Sequence, residues 1–401
     1  MERFLCKTKI IAGAGSVAAL GELGSKRLLM VADPYFSVNG KAAQIAAFAG
    51  AEATEVFDRV KPDPTVELAA EGTSLVQRFA PDTVVALGGG SAIDCAKAMV
   101  YFSGQPVKLV AIPTTSGSGS EVTEFAILTH GGIKHPLVDG RLQPDVAILD
   151  SDLLKDLPSG LVADAGFDIL THAVEAYTAA GAGAVSDALA ADAFSTAFAL
   201  LPASFGGNTQ VRQRIHMAST MAGMAFSQAG LGLCHAMAHS LGGMFHVPHG
   251  RLNAILLPAV IDCNAHGVAA KYAKLARSAG LGGSADTLAV RNLKNGLVRL
   301  RRELVLPENL AQAGIKPQEV RYRVKEIVTA TLEDPCCRTN GVPVEDFMVR
   351  RVLPSAGGIY PHGPVSERQV PGQAGHSPGT GSGVLSRLFP GADAPSAGYP
   401  H

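Results

Sequence analysis

The sequence predicts an α/β domain built on a parallel sheet, followed by an all-α domain. Between about residues 26 and 150, short apolar runs alternate with amphipathic stretches. Strand signals then stop at Leu157-Pro158-Ser159, and long Ala-, Leu- and Met-rich segments at helical spacing follow. Alternation of the first kind implies β-α-β units and a parallel sheet, and a change of period implies a second domain. The expected division is 1–157, 158–355 and a tail at 356–401.

In chain order, Gly13-Ala14-Gly15 reads as a turn before the first strong strand. The strands expected are Arg27–Ala32, Thr83–Leu87, Val107–Ile112 and Val146–Leu149, each a run apolar enough for burial on both faces. From Ala356-Gly357-Gly358 onward the chain is rich in Gly, Pro, Ser and His without usable period, and reads as poorly ordered. No internal repeat is evident.

Composition limits the function classes. The chain has 401 residues, is 47% hydrophobic and 17% charged, and contains 45 Gly, a globular balance with several tight loops. A net charge of −1 without basic runs gives no footprint for nucleic acid or an anionic membrane. A small-molecule partner is the expectation. No uninterrupted apolar stretch reaches the ~18–20 residues of a membrane span, and Met1-Glu2-Arg3-Phe4 does not open a signal peptide. A cytoplasmic location is therefore expected. The six cysteines form no C-x-x-C pair and read as reduced thiols.

Two loops point to a nucleotide. Gly88-Gly89-Gly90-Ser91 lies between a strand and a helix, where backbone N–H groups and a helix N-terminus suit a phosphate, with Ser91 able to cap the helix. Taken alone it is equally well a plain tight turn. After the strand ending at Ile112-Pro113 comes Thr114-Thr115-Ser116-Gly117-Ser118-Gly119-Ser120-Glu121-Val122-Thr123, six hydroxyl side chains in ten residues. Ligands of a doubly wound sheet bind beyond the carboxyl ends of its strands. A G-x-G-x-x-G fingerprint is absent. Asp33, at the end of a strand, can accept from adenosine ribose hydroxyls and repel a 2′-phosphate, favouring NAD over NADP; the alternative is helix or turn capping.

The helical half points to a metal. Asp168 and His172 stand at i and i+4, as do His235 and His239, and His246 and His249 follow near a helix end. Three imidazoles and a carboxylate make an N/O donor set suited to Fe²⁺, Zn²⁺, Mn²⁺ or Co²⁺. Cys234 beside His235 is a weaker candidate, because helix neighbours point to different faces.

These residues resemble the iron-containing (group III) alcohol dehydrogenase family from residue 1 to about 350. The resemblance lies in Gly88-Gly89-Gly90-Ser91 with Asp94, Pro113-Thr114-Thr115 through Glu121, Asp168-x-x-x-His172-Ala-x-Glu175-Ala176-Tyr177, and His235-x-x-x-His239 with Pro248-His249-Gly250. The run Met221–Gly232 looks most like the propanol dehydrogenases of propanediol-utilisation microcompartments. The resemblance implies a Rossmann-like parallel sheet and a helical metal domain, the dehydroquinate synthase-like architecture. It implies one divalent metal, Fe²⁺ ahead of Zn²⁺, on Asp168, His172, His235 and His249, with His239 relaying the alcohol proton. It implies NAD lined by Gly89, Gly90, Ser91, Asp94, Thr114, Thr115, Ser118, Thr123 and Lys134, with Asp33 at the ribose and Asp63 near the adenine. The activity implied is reversible hydride transfer between a short-chain primary alcohol and its aldehyde, 1-propanol and propionaldehyde first. A homodimer and a microcompartment setting stay open.

Ser118 stands where the family has Thr, and Gly341-Val342 replaces Pro-Arg after Cys336-Cys337-Arg338-Thr339-Asn340. A reading frame shifted near the 3′ end of the coding sequence would produce such an ending. Two alternatives accompany the dehydrogenase: a lyase of the dehydroquinate-synthase type, which needs more cations than the metal-side helices carry, and a non-catalytic, shell-associated partner that keeps the site.

Overall fold

The computed structural model describes residues 4–131 and 133–356; the expectation of a poorly ordered tail lies outside them, apart from Ala356, which closes the last helix. The strands are β1 (Lys9–Ala12), β2 (Arg27–Ala32), β3 (Ala53–Phe57), β4 (Thr83–Gly88), β5 (Lys108–Pro113), β6 (Phe125–His130), β7 (Ile133–Val138) and β8 (Val146–Leu149). Helices α1 (Pro34–Val38), α2 (Lys41–Ala47), α3 (Val66–Phe79) and α4 (Gly90–Ser103) connect them. The remaining helices are α5 (Ser159–Thr178), α6 (Ala184–Phe205), α7 (Arg212–Ala229), α8 (Leu233–Phe245), α9 (His249–Ser278), α10 (Asp286–Glu303), α11 (Pro317–Tyr322), α12 (Val324–Glu333), α13 (Cys336–Thr339) and α14 (Asp346–Ser355).

Six parallel strands form one sheet in the order β1-β8-β5-β4-β2-β3, and β6 pairs with β7 as an antiparallel hairpin. The central strands are continuous apolar runs because both faces are covered. Leu28, Met30, Val85, Leu87, Val110 and Ile112 pack on one side; Leu29, Val31, Val84, Ala86, Leu109 and Ala111 pack on the other. β2 is followed by β3 on one side and β4 on the other, so the strand order reverses between β2 and β4. A crevice for ligand opens at the carboxyl ends of such a pair.

From Ser159 onward the described chain is helical. Helix α5 is the central member, buried almost continuously from Val162 to Thr178. Gly166 lets α6 cross it closely: a Cβ there would lie 2.3 Å from Leu201 Cδ1. By length and hydropathy α6 and α9 could each cross a bilayer, but both bury residues in this helical core, including Phe194 and Leu201 of α6 and Leu256 and Val260 of α9. The apolar stretches are thus longer than the uninterrupted runs suggest, because scattered polar residues fall on the outer faces. All six cysteines are free.

Candidate active site

Three helices bring five chemical side chains together. Asp168 and His172 lie one turn apart on α5, His235 and His239 one turn apart on α8, and His249 is the first residue of α9. Helix α8 starts where other helices supply acceptors for its N–H groups. The Glu175 carboxylate accepts from the backbone N–H of Gly232 (3.0 Å), Cys234 (2.7 Å) and His235 (3.3 Å), and Asn340 Oδ1 accepts from Leu233 N–H (3.1 Å). A Cβ at Gly232 would sit 2.5 Å from Asn340 Oδ1, so this start requires glycine. Gly250 does the same for α9, since a Cβ there would lie 1.9 Å from the Asp164 carbonyl oxygen. That approach seats His249 over α5.

Asp168 Oδ1 is the centre of the cluster. It lies 3.5 Å from His249 Nε2, 3.7 Å from His235 Nε2 and 4.0 Å from His172 Nδ1. Such separations exceed a hydrogen bond. They match donors sharing one ion, because four ligands at ~2.1 Å in tetrahedral array lie ~3.4 Å apart. His172 Nδ1 is buried without a hydrogen-bond partner, and its ring stacks on that of His235 at 4.4 Å. Asp168, His235 and His249 offer donor atoms all within 4.8 Å of one another. The donor set therefore fits a divalent ion.

The electrostatics agree. Burial would raise the Asp168 carboxyl, but the imidazoles of His172, His249 and His235 hold it well below its usual range. Burial pushes His172 down to about 3 and His249 well below its ordinary value, in each case against the attraction of Asp168. Both rings are neutral and able to donate a lone pair. For His235, burial alone would lower the ring; the carboxylates of Asp168 and Glu175 instead hold it at about 9. The two carboxylates, with His172 and His249 neutral, make a pocket suited to a divalent cation. Cys234 does not join it: its Sγ lies 3.7 Å from Asn253 Oδ1, and burial raises the thiol well above its normal value. His246 only closes α8 in a left-handed conformation.

Glu175 has a second task. Its Oε2 lies 2.6 Å from His235 Nδ1, which fixes the tautomer and turns Nε2 toward Asp168. Glu175→Gln is therefore expected to weaken metal affinity by about 10–100-fold. Competition with a chromogenic chelator measures this, and unchanged affinity would refute the role. Asn253 supports the carboxylate directly, donating from Nδ2 to Asp168 Oδ1 at 2.8 Å.

His239 belongs to a neighbouring arrangement. Its ring stacks on His249 at 5.0 Å, while its Nδ1 lies 2.9 Å from Asp334 Oδ2. The Cys336 N–H donates to Asp334 Oδ1 at 2.9 Å. Burial would raise Asp334, but His239 brings it down to about 2. An ionised Asp334 holds the Nδ1 proton of His239 and leaves Nε2 as the nitrogen free to exchange one.

The expected cofactor residues gather at the β2–β4 crevice. Asp33 ends β2, and its Cβ lies 3.2 Å from where a Gly88 Cβ would be. Its Oδ1 accepts from Tyr35 N–H at 2.9 Å, so it also caps α1, the alternative its position suggested. The cap of α4 differs from the expectation: the N-cap is Gly89, without a side-chain cap, and Ser91 lies inside the helix. The helix starts earlier because two glycines permit the turn, and the first N–H groups of a helix have no intrahelical acceptor. Thr114 N–H donates to Gly88 carbonyl oxygen at 2.9 Å. Thr115 and Ser118 lie so close to Gly89 and Gly90 that a Cβ on either glycine would meet them at 3.2 and 3.0 Å.

Asp94 and Thr123 lie beneath this surface. Asp94 accepts from Ser120 Oγ (2.5 Å) and Ile127 N–H (3.0 Å); the fully buried Lys97 donates to Thr123 Oγ1 (3.1 Å) and carbonyl oxygen (2.9 Å). Burial raises the Asp94 carboxyl and lowers Lys97 to about 8. These contacts brace the loop from the sheet side, with polar atoms of Asp94 and Thr123 engaged by protein partners. Lys134 pairs with Asp63 at 2.7 Å, and its positive charge makes the smallest contribution to the lowering of His249. The Gly117 backbone likewise acts on His172.

Glu175 stood in a quoted motif without a role, and Asn253 and Asp334 escaped the sequence reading. Glu175 continues the Asp168/His172 face of α5, and Asn253 stands one turn after His249, so both had a helical signal. Asp334 lies 95 positions from His239 and had none.

Comparison with known proteins places this geometry in context. Residues 7–151 match the family model described as iron-containing alcohol dehydrogenase, and residues 162–356 match that of the Fe-containing alcohol dehydrogenase family, C-terminal. The chain is 39% identical to 1-propanol dehydrogenase PduQ of Salmonella typhimurium, over 88% of this chain and 99% of that one. It is 37% identical to the NADPH-dependent butanol dehydrogenase of Clostridium saccharobutylicum, over 85% and 94%. The iron containing alcohol dehydrogenase of Thermococcus thioreducens superposes with a TM-score of 0.82 at 33% identity, covering 89% of this chain and 100% of that one. A 1,3-propanediol oxidoreductase superposes with a TM-score of 0.83 at 31% identity, over 89% and 100%.

Proposed function

The chain belongs to the iron-containing alcohol dehydrogenase family, and we propose that this oxidoreductase interconverts 1-propanol and propionaldehyde with NAD(H) and one Fe²⁺. The supporting observation is the donor cluster around Asp168 Oδ1, set beside the His239–Asp334 pair. The match to PduQ supports propanol as substrate, and the match to a butanol dehydrogenase extends the class to other short primary alcohols. The lyase reading loses support, because the relatives described above are dehydrogenases or oxidoreductases. The division at residue 157 is proposed as cofactor domain followed by metal and substrate domain. A bacterial cytoplasm, with a propanediol-utilisation microcompartment as its setting, is proposed on the PduQ match alone.

In this reading Asp168, His172, His235 and His249 hold the ion, while Glu175 and Asn253 keep the ligands aimed. When bound, the ion supplies Lewis acidity and the nicotinamide supplies or accepts the hydride. His239 passes the alcohol proton through Nε2, with Asp334 holding the opposite nitrogen. The Phe226 ring, stacked on His172 at 4.4 Å and 6.5 Å from Phe125, keeps water from one side of the ligands. The backbone at Gly89 and Gly90, with the hydroxyls of Ser91, Thr114, Thr115 and Ser118, cradles the pyrophosphate. Asp33 meets the ribose, Asp63 lies near the adenine, and Lys134 lines the cofactor.

Asp33 makes the cofactor choice testable, since a 2′-phosphate beside it brings like charges together. Anaerobically purified, Fe²⁺-loaded protein is expected to oxidise NADH with propionaldehyde at a kcat/KM about tenfold or more above that with NADPH. Across a panel of short-chain aldehydes propionaldehyde is expected to rank first. A preference for NADPH, or for an aldehyde outside this class, overturns the substrate and cofactor assignment.

A further inference from the structure

His216 on α7 is completely buried and has no part in the chemistry above. Its Nδ1 shares a hydrogen bond of 2.9 Å with Ser116 Oγ, in the middle of the hydroxyl-rich loop. Burial lowers the ring to about 4 with the Pro113 backbone opposing, so it is a neutral hydrogen-bonding post. Its Nε2 has no hydrogen-bond partner among the described residues.

The same face of α7 meets the loop twice more. Thr220, one turn on, donates from Oγ1 to Glu121 Oε1 at 2.6 Å. Gly223 follows, and there the two backbones touch. A Cβ on Gly119 would lie 2.6 Å from Gly223 Cα, and one on Gly223 would lie 2.8 Å from the Gly119 carbonyl oxygen. Gly119 also has φ +63°, so it cannot take a side chain without strain. Residues 216, 220 and 223 stand at i, i+4 and i+7, one helical stripe. Asp94 and Lys97 hold the loop from the sheet side; this stripe holds it from the helical side.

We propose that the His216–Thr220–Gly223 stripe of α7 is a clamp that sets the position of the Thr114–Thr123 loop, with His216, through Ser116, a positioning residue for NAD(H) affinity. The inference rests on the reading of this loop as part of the cofactor site. It makes cofactor affinity depend on His216, a residue outside the metal-donor cluster.

The test is direct titration of nicotinamide fluorescence, which the absence of Trp leaves free of an indole background. Full-length protein is titrated with NADH in metal-free and Fe²⁺-loaded forms. His216→Ala and Ser116→Ala are each expected to weaken NADH binding by about three- to tenfold, the range for one neutral hydrogen bond. The double variant should be no worse than either single one, because both lose the same bond. His216→Asn, whose amide reaches the place of Nδ1, should recover affinity, and metal stoichiometry should stay at the wild-type value throughout. Unchanged NADH affinity in His216→Ala or Ser116→Ala, or losses that add in the double variant, overturns the clamp. If His216→Ala fails to fold, Ser116→Ala and His216→Asn decide. Wild-type protein that does not bind NADH overturns the cofactor reading itself, and the clamp with it.

Discussion

His249→Ala is expected to lose the metal ion and, with it, turnover. His249 is the donor best suited to the experiment because least of the fold depends on it. Its side chain is 29% exposed, against 6% for His172 and 1% for His235. It opens α9, and the seating of that helix depends on Gly250 against Asp164 and on the Arg251–Asp164 ion pair at 2.9 Å. Truncation thus removes Nε2, 3.5 Å from Asp168 Oδ1, and leaves the helix where it is. Asp168, His172 and His235 remain as three donors. Affinity should fall by at least about 100-fold, beyond the effect of altering a residue that only orients a ligand. Loss of Lewis acidity removes several kcal/mol of transition-state stabilisation, or about 10³-fold or more in kcat. Elemental analysis alongside NADH oxidation and circular dichroism checks this. A folded variant with a full complement of metal and wild-type turnover would remove His249 from the donor set.

His239→Ala should separate proton transfer from metal binding. His239 pairs with Asp334, and its ring lies 5.0 Å from His249 without joining the Asp168 cluster. The variant is expected to keep its metal and to lose about 10²–10⁴ in kcat, the range for a positioned acid–base group. Added imidazole should restore part of the rate. Asp334→Asn keeps a polar neighbour but no anion, so it should lie between the two, with His239 held in the wrong tautomer part of the time. If His239→Ala instead loses the metal, His239 is a ligand; if kcat is unchanged, the proton travels by another route.

What the sequence revealed follows physical burial. β2, β4, β5 and β8 were legible because they are interior strands covered on both faces. β1 and β3 were missed because they are the two edges: Ala53–Phe57 exposes Thr54, Glu55 and Val56, and Lys9–Ala12 is only half-buried. The β6–β7 hairpin stands outside the main sheet and was not read from the sequence. In the site, pairs one helical turn apart were legible. Contacts made by folding were not: Asp334 reaches His239 from α12's far end, and Ser116 meets His216 across 100 residues. Asp94 and Thr123 had a motif signal, but the partners of their polar atoms, Ser120, the Ile127 N–H and buried Lys97, are set only by folding.

The central claim is that one ion on Asp168, His172, His235 and His249 is required for alcohol–aldehyde interconversion. It is tested most directly by stripping the protein with a chelator, restoring Fe²⁺ without oxygen, and following NADH oxidation by propionaldehyde against bound metal. No turnover is expected in the stripped protein, with recovery that rises in proportion to metal and ends at one ion per chain. Full turnover by protein shown to be free of metal would contradict it.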